Sequence, residues 1–152
     1  MRIESFLRQS PAFQIGRVAR KMNASLNSIL EQEELTAMEA MLLAAIFLEK
    51  KGEIKPSRLA ETFETTRGNI SHSISSLEAK GLVARRIDVE DARAFRLVLL
   101  PKGKRQAARV VGILDRMQRR FEEGIGAAKL QGMIAQMSQV EELCSRLADA
   151  GR

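Results

Sequence analysis

Apolar residues recur every three or four positions between Pro11 and Leu30, at Ile15, Val18, Met22, Leu26, Ile29 and Leu30. That spacing predicts an amphipathic helix with Arg17, Arg20 and Lys21 off its stripe. Thr36 followed by Glu39 reads as a capping box, each side chain satisfying the other's free backbone N–H. The helix it opens, through about Glu49, is apolar nearly all round (Met38, Met41, Leu42, Leu43, Ile46, Phe47) and so is expected at the centre of the fold. Lys51-Gly52-Glu53 breaks the pattern. Pro56 suits the first turn of a short helix to Phe63, with Leu59, Ala60 and Phe63 inward. Thr66 caps another that runs to Lys80 and ends at Gly81.

The period then changes. Leu82 to Ile87 and Phe95 to Leu100 read as two short strands around a polar turn, Asp88 to Arg93. Pro101 opens a long helix on Val110, Leu114, Met117 and Phe121, which Gly124 and Gly126 are expected to interrupt. The last helix spaces Leu130, Met133, Met137, Val140, Cys144 and Leu147 as a heptad seam, the kind that packs against another helix. No internal repeat, low-complexity tract or linker divides the chain, so one unit over 1–152 is expected. The fold class is mainly α with a small β-wing (α+β). Short helices, a tight turn, a second helix with a polar outer face and a hairpin make a winged helix-turn-helix.

Charge and composition narrow the function. Lys and Arg outnumber Asp and Glu by 25 to 19 in 152 residues, a formal +6, which favours a polyanionic partner. One His and one Cys cannot make a four-ligand zinc site, so no metal and no cofactor are expected. The lone Cys144 excludes an intrachain disulfide and suits a reducing cytoplasm. The longest apolar run, Ala40 to Leu48, is far too short to span a membrane, and the N-terminus lacks a signal-peptide core. One His, one Cys, no Tyr and no nucleophile motif argue against an enzyme.

The Thr66–Lys80 helix carries the candidate chemistry. With Ile70, Ile74 and Leu77 turned inward, Gly68, Ser71, His72, Ser75 and Ser76 fall on the outer side, and Thr66, Arg67 and Asn69 stand near its start. Such a helix fits a major groove. Asn69 can pair with an adenine edge and Arg67 with guanine or a phosphate, while Gly68 lets the backbone come close. Arg93 at the hairpin tip, with Arg85, Arg86 and Arg96 nearby, can reach a minor groove. His72 reads as a DNA-facing residue, since no second ligand lies near it in sequence. Cys144 on an apolar seam reads as a packing residue. A winged-helix module that binds protein, or binds DNA without sequence preference, is a second class consistent with these features.

Residues 35–103 resemble the DNA-binding lobe of the MarR (multiple antibiotic resistance regulator) family. The carrying segments are Leu35-Thr36, Leu59-Ala60, "SSLEAKGLVAR" from Ser75 to Arg85, "DAR" from Asp91 to Arg93, and "LLPKG" from Leu99 to Gly103. The resemblance implies a homodimer held by a helical lobe from 1–31 and 104–152, with Ile15, Val18, Leu130, Met133, Met137, Val140, Cys144 and Leu147 at the dimer contact. It implies that double-stranded DNA is bound at half-sites about 10 bp apart. It also implies a wing whose Arg93 enters the minor groove, held in shape by an Asp91–Arg85 pair. Family members often carry a crevice for a small-molecule effector, here walled by the first, second and fifth helices. The chain departs from the pattern at Glu64-Thr65, where the family often has glycine and a hydrophobic residue, and at Leu100, where it often has threonine. Its recognition helix is also poorer in arginine, which shifts specificity toward DNA shape.

Overall fold

Residues 2–49 and 53–150, described by a computed structural model, form seven α-helices and three short strands. In chain order these are α1 (Ile3–Gln9), α2 (Pro11–Leu30), α3 (Ala37–Leu48), β1 (Glu53–Ile54), α4 (Pro56–Thr62), α5 (Arg67–Ala79), β2 (Val83–Ile87), β3 (Phe95–Leu99), α6 (Pro101–Ile125) and α7 (Ala127–Ala150). The chain divides into two compact units, Met1–Val111 and Gly112–Arg152.

In the first unit Ser10, a cap not anticipated from the sequence, and Pro11 start α2, the Ser10 hydroxyl accepting from Phe13 N at 3.3 Å. The capping box expected at Thr36 and Glu39 is in place. The Thr36 hydroxyl accepts from Glu39 N at 3.2 Å, and Glu39 Oε2 accepts from Thr36 N at 2.8 Å. α3 is central, with Leu42, Leu43 and Ile46 fully buried, although its last residues, Phe47 and Leu48, are exposed. Leu30, Leu59, Ile70, Ile74, Leu77, Leu82, Leu97 and Val110 complete the core around it. Burying a Leu or Ile side chain fully stabilises by about 1.5–3 kcal/mol, so this apolar set dominates the folding energy of the unit.

The sheet is antiparallel in the order β1-β3-β2, with Val83 opposite Leu99, Ile87 opposite Phe95 and Ile54 opposite Leu97. β1 adds a third strand to the expected hairpin. Only Glu53 of the expected Lys51-Gly52-Glu53 break can be placed, because Lys51 and Gly52 lie outside the described residues. The helix α1 was likewise not anticipated.

α6 begins in the first unit and runs through Gly124, which does not interrupt it. The break is at Gly126, whose φ of +91° is left-handed. Glycine suits that geometry because no Cβ clashes there. On α7 the heptad positions Met133, Met137, Cys144 and Leu147 are exposed, Val140 is half-buried and Leu130 is buried. On α2, Ile15 and Val18 are also exposed. No helix among the described residues is long and apolar enough to cross a membrane.

Candidate nucleic-acid interface

α5 forms because Thr66 caps it, accepting from Asn69 N at 3.2 Å, and because Ile70, Ile74 and Leu77 bury a narrow stripe against α3 and α4. Its other side is polar and open. Thr66, Arg67, Gly68, Asn69, Ser71, His72 and Ser75 are all exposed, so the structure brings seven of the candidate residues onto one accessible surface. The Asn69 amide donates to Thr65 Oγ1 at 3.1 Å, which orients it and leaves its carbonyl oxygen for an outside donor. The turn before α5 places Glu64 at a φ of +47°, the left-handed position where glycine is more usual. A non-glycine residue there costs about 1–2 kcal/mol. Thr65 N, donating to Ala60 O at 3.0 Å, helps hold the turn in spite of this.

Ser76 departs from the expected set. It is half-buried, and its hydroxyl donates to Glu39 Oε1 rather than facing outward. Glu39 itself is buried and accepts from Lys80 Nζ at 2.8 Å as well as from Thr36 N. Burial pushes the Glu39 carboxyl up, but the hydrogen bonds from Lys80, Ser76 and the Thr36 backbone together outweigh it and leave its pKa below the ordinary value.

The wing is held differently from the expected Asp91–Arg85 pair. Arg85 Nε binds Glu78 Oε2 at 3.1 Å, and its guanidinium lies 4.7 Å from the centre of the Phe95 ring. Asp91 instead shapes the turn, its carboxylate accepting from Arg93 N at 3.0 Å and its carbonyl from Ala94 N at 2.9 Å. The structural anchor is Asp88, whose side chain is wholly covered. It takes Lys55 Nζ at 2.9 Å, Arg96 Nε at 2.9 Å and Glu90 N at 2.8 Å. Arg96 is therefore an internal partner, bound to Glu53 as well at 3.5 Å, and not a free cation of the wing. Arg86 and Arg93 are exposed and make no ion pair among the described residues.

The hydrogen bond from Lys55, then that from Glu90 N, with Arg96 beside them, hold Asp88 at a pKa of about 2 against an ordinary 3.8. A lowered folded-state pKa gives stability that is complete above the ordinary value and lost as pH falls through the folded one. The wing is therefore expected to hold until acidification passes from 3.8 toward about 2. Hydrogen exchange at the β2 and β3 amides should rise in that window in the wild type. Asp88→Asn should show fast hairpin exchange already at neutral pH and no such acid step. A wild-type step centred well above 3.8 would mean that another group holds the hairpin.

Between the start of α4, the flank of α5 that carries Arg67 and Ser71, and the wing lies a hollow of about 320 Å³, with Ile70, Ile74 and Phe95 at its apolar floor. Lys55, Arg67, Arg85 and Arg93 stand around it. Arg67 at the start of α5 and Arg93 at the wing tip thus line the same concave surface. No cluster of three His, Cys, Asp or Glu able to hold a metal occurs among the described residues, and Cys144 is exposed.

The MarR family model matches residues 33–94. The HTH-type transcriptional repressor MdtR of Bacillus subtilis (strain 168) is 26% identical over 129 residues, covering 81% of this chain and 82% of that protein. The fold is that of the S. aureus MepR–DNA complex, with a TM-score of 0.81 at 18% identity over 89% of this chain and 98% of that one. It is also that of a mutant MarR from E. coli complexed with operator DNA, with a TM-score of 0.73 at 20% identity over 84% of this chain and 90% of that one.

Proposed function

We propose that the chain is a transcriptional regulator of the MarR family, and not an enzyme, which represses transcription by binding a pseudo-palindromic operator as a homodimer. The observation that carries this reading is the open polar side of α5 beside the wing-tip Arg93, in one compact unit. The first turns of α5 enter the major groove, where Asn69 and His72 meet base edges and Arg67 meets a base or the phosphate backbone. Arg93 reaches the adjacent minor groove, where attraction is largely electrostatic. The exposed apolar residues of α2 and α7 support the dimer, because Ile15, Val18, Met133, Met137 and Leu147 are left exposed in the single chain. Two recognition helices related by a two-fold axis then address half-sites about one helical turn apart. The repressor sign is drawn from MdtR, which bears that description. Release by a small-molecule effector is part of the same reading.

Binding to operator and scrambled duplexes across a salt series tests this. Asn69→Ala and His72→Ala should each weaken the operator more than the scrambled duplex, by about 1–3 kcal/mol of discrimination. Arg93→Ala should weaken both and reduce the salt slope by about one counterion. If Arg93→Ala binds both duplexes as tightly as wild type at every salt concentration, the wing is not a DNA contact. A winged-helix module for protein recognition then becomes the better reading.

A further inference from the structure

The second functional element is not on the DNA-facing side. α2 ends in a tight corner. A 3₁₀ turn at Glu31–Glu33 is followed by Glu34 at a φ of +55° and then by the Thr36 cap of α3. Two other helices grip that corner. From α6, Gln106 Nε2 donates to Glu33 O at 2.6 Å, and the Arg109 guanidinium binds the Glu33 carboxylate at 3.1 Å. Lys80, at the C-terminal end of α5, sends one ammonium group to two acceptors of the corner, Glu34 O at 2.8 Å and Glu39 Oε2 at 2.8 Å. Ser76, one turn earlier, binds the other oxygen of Glu39. Lys102 Nζ closes the set on Lys80 O at 3.2 Å.

We propose that Glu39, Ser76 and Lys80 are positioning residues that fix the recognition helix to the end of α2 and thereby set the separation of half-sites the dimer accepts. The inference rests on the dimeric operator reading above. α2 offers its exposed Ile15 and Val18 to the partner, so its direction is fixed by the dimer. α5 touches DNA. The only polar links from the last turns of α5 to the corner that ends α2, among the described residues, run through these three side chains. Apolar packing of Ile70, Ile74 and Leu77 would let α5 rock on its stripe, because dispersion contacts have no sharp directional preference. Hydrogen bonds to a buried carboxylate and a carbonyl do have one. The two recognition helices of a dimer would then keep a fixed spacing, and a duplex with misplaced half-sites would be refused.

The experiment measures affinity for a ladder of operator duplexes whose half-site centres are moved one base pair at a time. A scrambled duplex of equal length is included. The wild type should prefer one spacing over its neighbours by about tenfold or more. The shape-preserving double variant Glu39→Gln/Lys80→Met should accept neighbouring spacings within about threefold, while its affinity for the scrambled duplex and its salt slope stay those of wild type. Lys80→Arg, which can still reach both acceptors, should restore the preference. Should the double variant fail to fold, Ser76→Ala, which removes one hydroxyl, should widen the accepted spacing in the same direction. Loss of stability alone would lower the active fraction on every duplex equally and leave the spacing preference intact. A folded variant that keeps the wild-type preference overturns the positioning role and leaves the operator reading standing. A wild type indifferent to spacing overturns both.

Discussion

Gly103→Ala is expected to destabilise the first unit by at least about 3 kcal/mol, a large share of the roughly 5–15 kcal/mol that holds a domain folded. Glycine inside a helix ordinarily costs about 1 kcal/mol relative to alanine, so elsewhere this substitution would stabilise. Here the sign reverses. A Cβ at Gly103 would lie 1.9 Å from Leu82 O and 2.8 Å from the Leu82 carbonyl carbon. Both atoms are backbone, and the same carbonyl accepts from Leu100 N at 2.9 Å, so neither side can step away cheaply. The first turn of α6 lies backbone to backbone against the residue that enters β2. That contact ties the wing to the helix behind it. Thermal unfolding should show the variant melting lower by on the order of 10 °C. Gly124→Ala is the matched control, because its Cβ would meet nothing within 4 Å and helix propensity alone should act. If Gly103→Ala melts with the wild type, the close approach of α6 to Leu82 is wrong.

The comparison of sequence and structure separates two kinds of signal. Local signals were legible. The capping box at Thr36 and Glu39, the Thr66 cap, the stop at Gly81 with its φ of +70° and the inward stripe of Ile70, Ile74 and Leu77 each depend on residues within a turn or two. The outer side of α5 followed from that stripe, which is why seven of its candidates lie open. What failed needed tertiary partners. Ser76 sits at an outward angle on a helical wheel, and only the position of α3 brings Glu39 to it. Arg85 and Arg96 looked like groove-facing cations of a hairpin, with Asp91 as the expected partner of Arg85, but Glu78 and the buried Asp88 claim them. Asp88 looked like a turn residue. β1 is two residues long and carries no period to detect. Gly103 entered the argument as one letter of a resemblance, and its physical reason, a backbone contact with Leu82, is invisible until the chain is folded.

Lys80→Met is expected to turn the pH dependence of Glu39 upside down. In the wild type the Glu39 carboxyl is held below its ordinary 4.5, because the hydrogen bonds from Lys80, Ser76 and Thr36 N overcome the burial that pushes it up. Its contribution to stability is therefore complete above 4.5 and is lost as pH falls through the lowered folded value. Removing the ammonium takes away the strongest of the lowering contacts and leaves burial, the largest single influence, opposed only by Ser76 and one backbone N–H. The folded pKa is then expected to rise. A raised carboxyl stabilises below the unfolded pKa and costs stability as pH climbs through the folded one, so the variant should suffer most at neutral pH. Breaking a fully buried pair costs about 3–5 kcal/mol. The Lys80 side chain is 35% exposed, so water screens part of that loss and about 1–2 kcal/mol is the expected deficit. Denaturant unfolding of wild type and variant, from neutral pH down to about 4.5, reads the gap directly. The gap should narrow on acidification, because protonation removes the stranded charge in the variant while it begins to weaken the wild type. Glu39→Gln/Lys80→Met, which has no charge to strand, should lose less than Lys80→Met alone at neutral pH and show no narrowing. A gap of constant size across that range would mean that Glu39 does not depend on Lys80 for its charge.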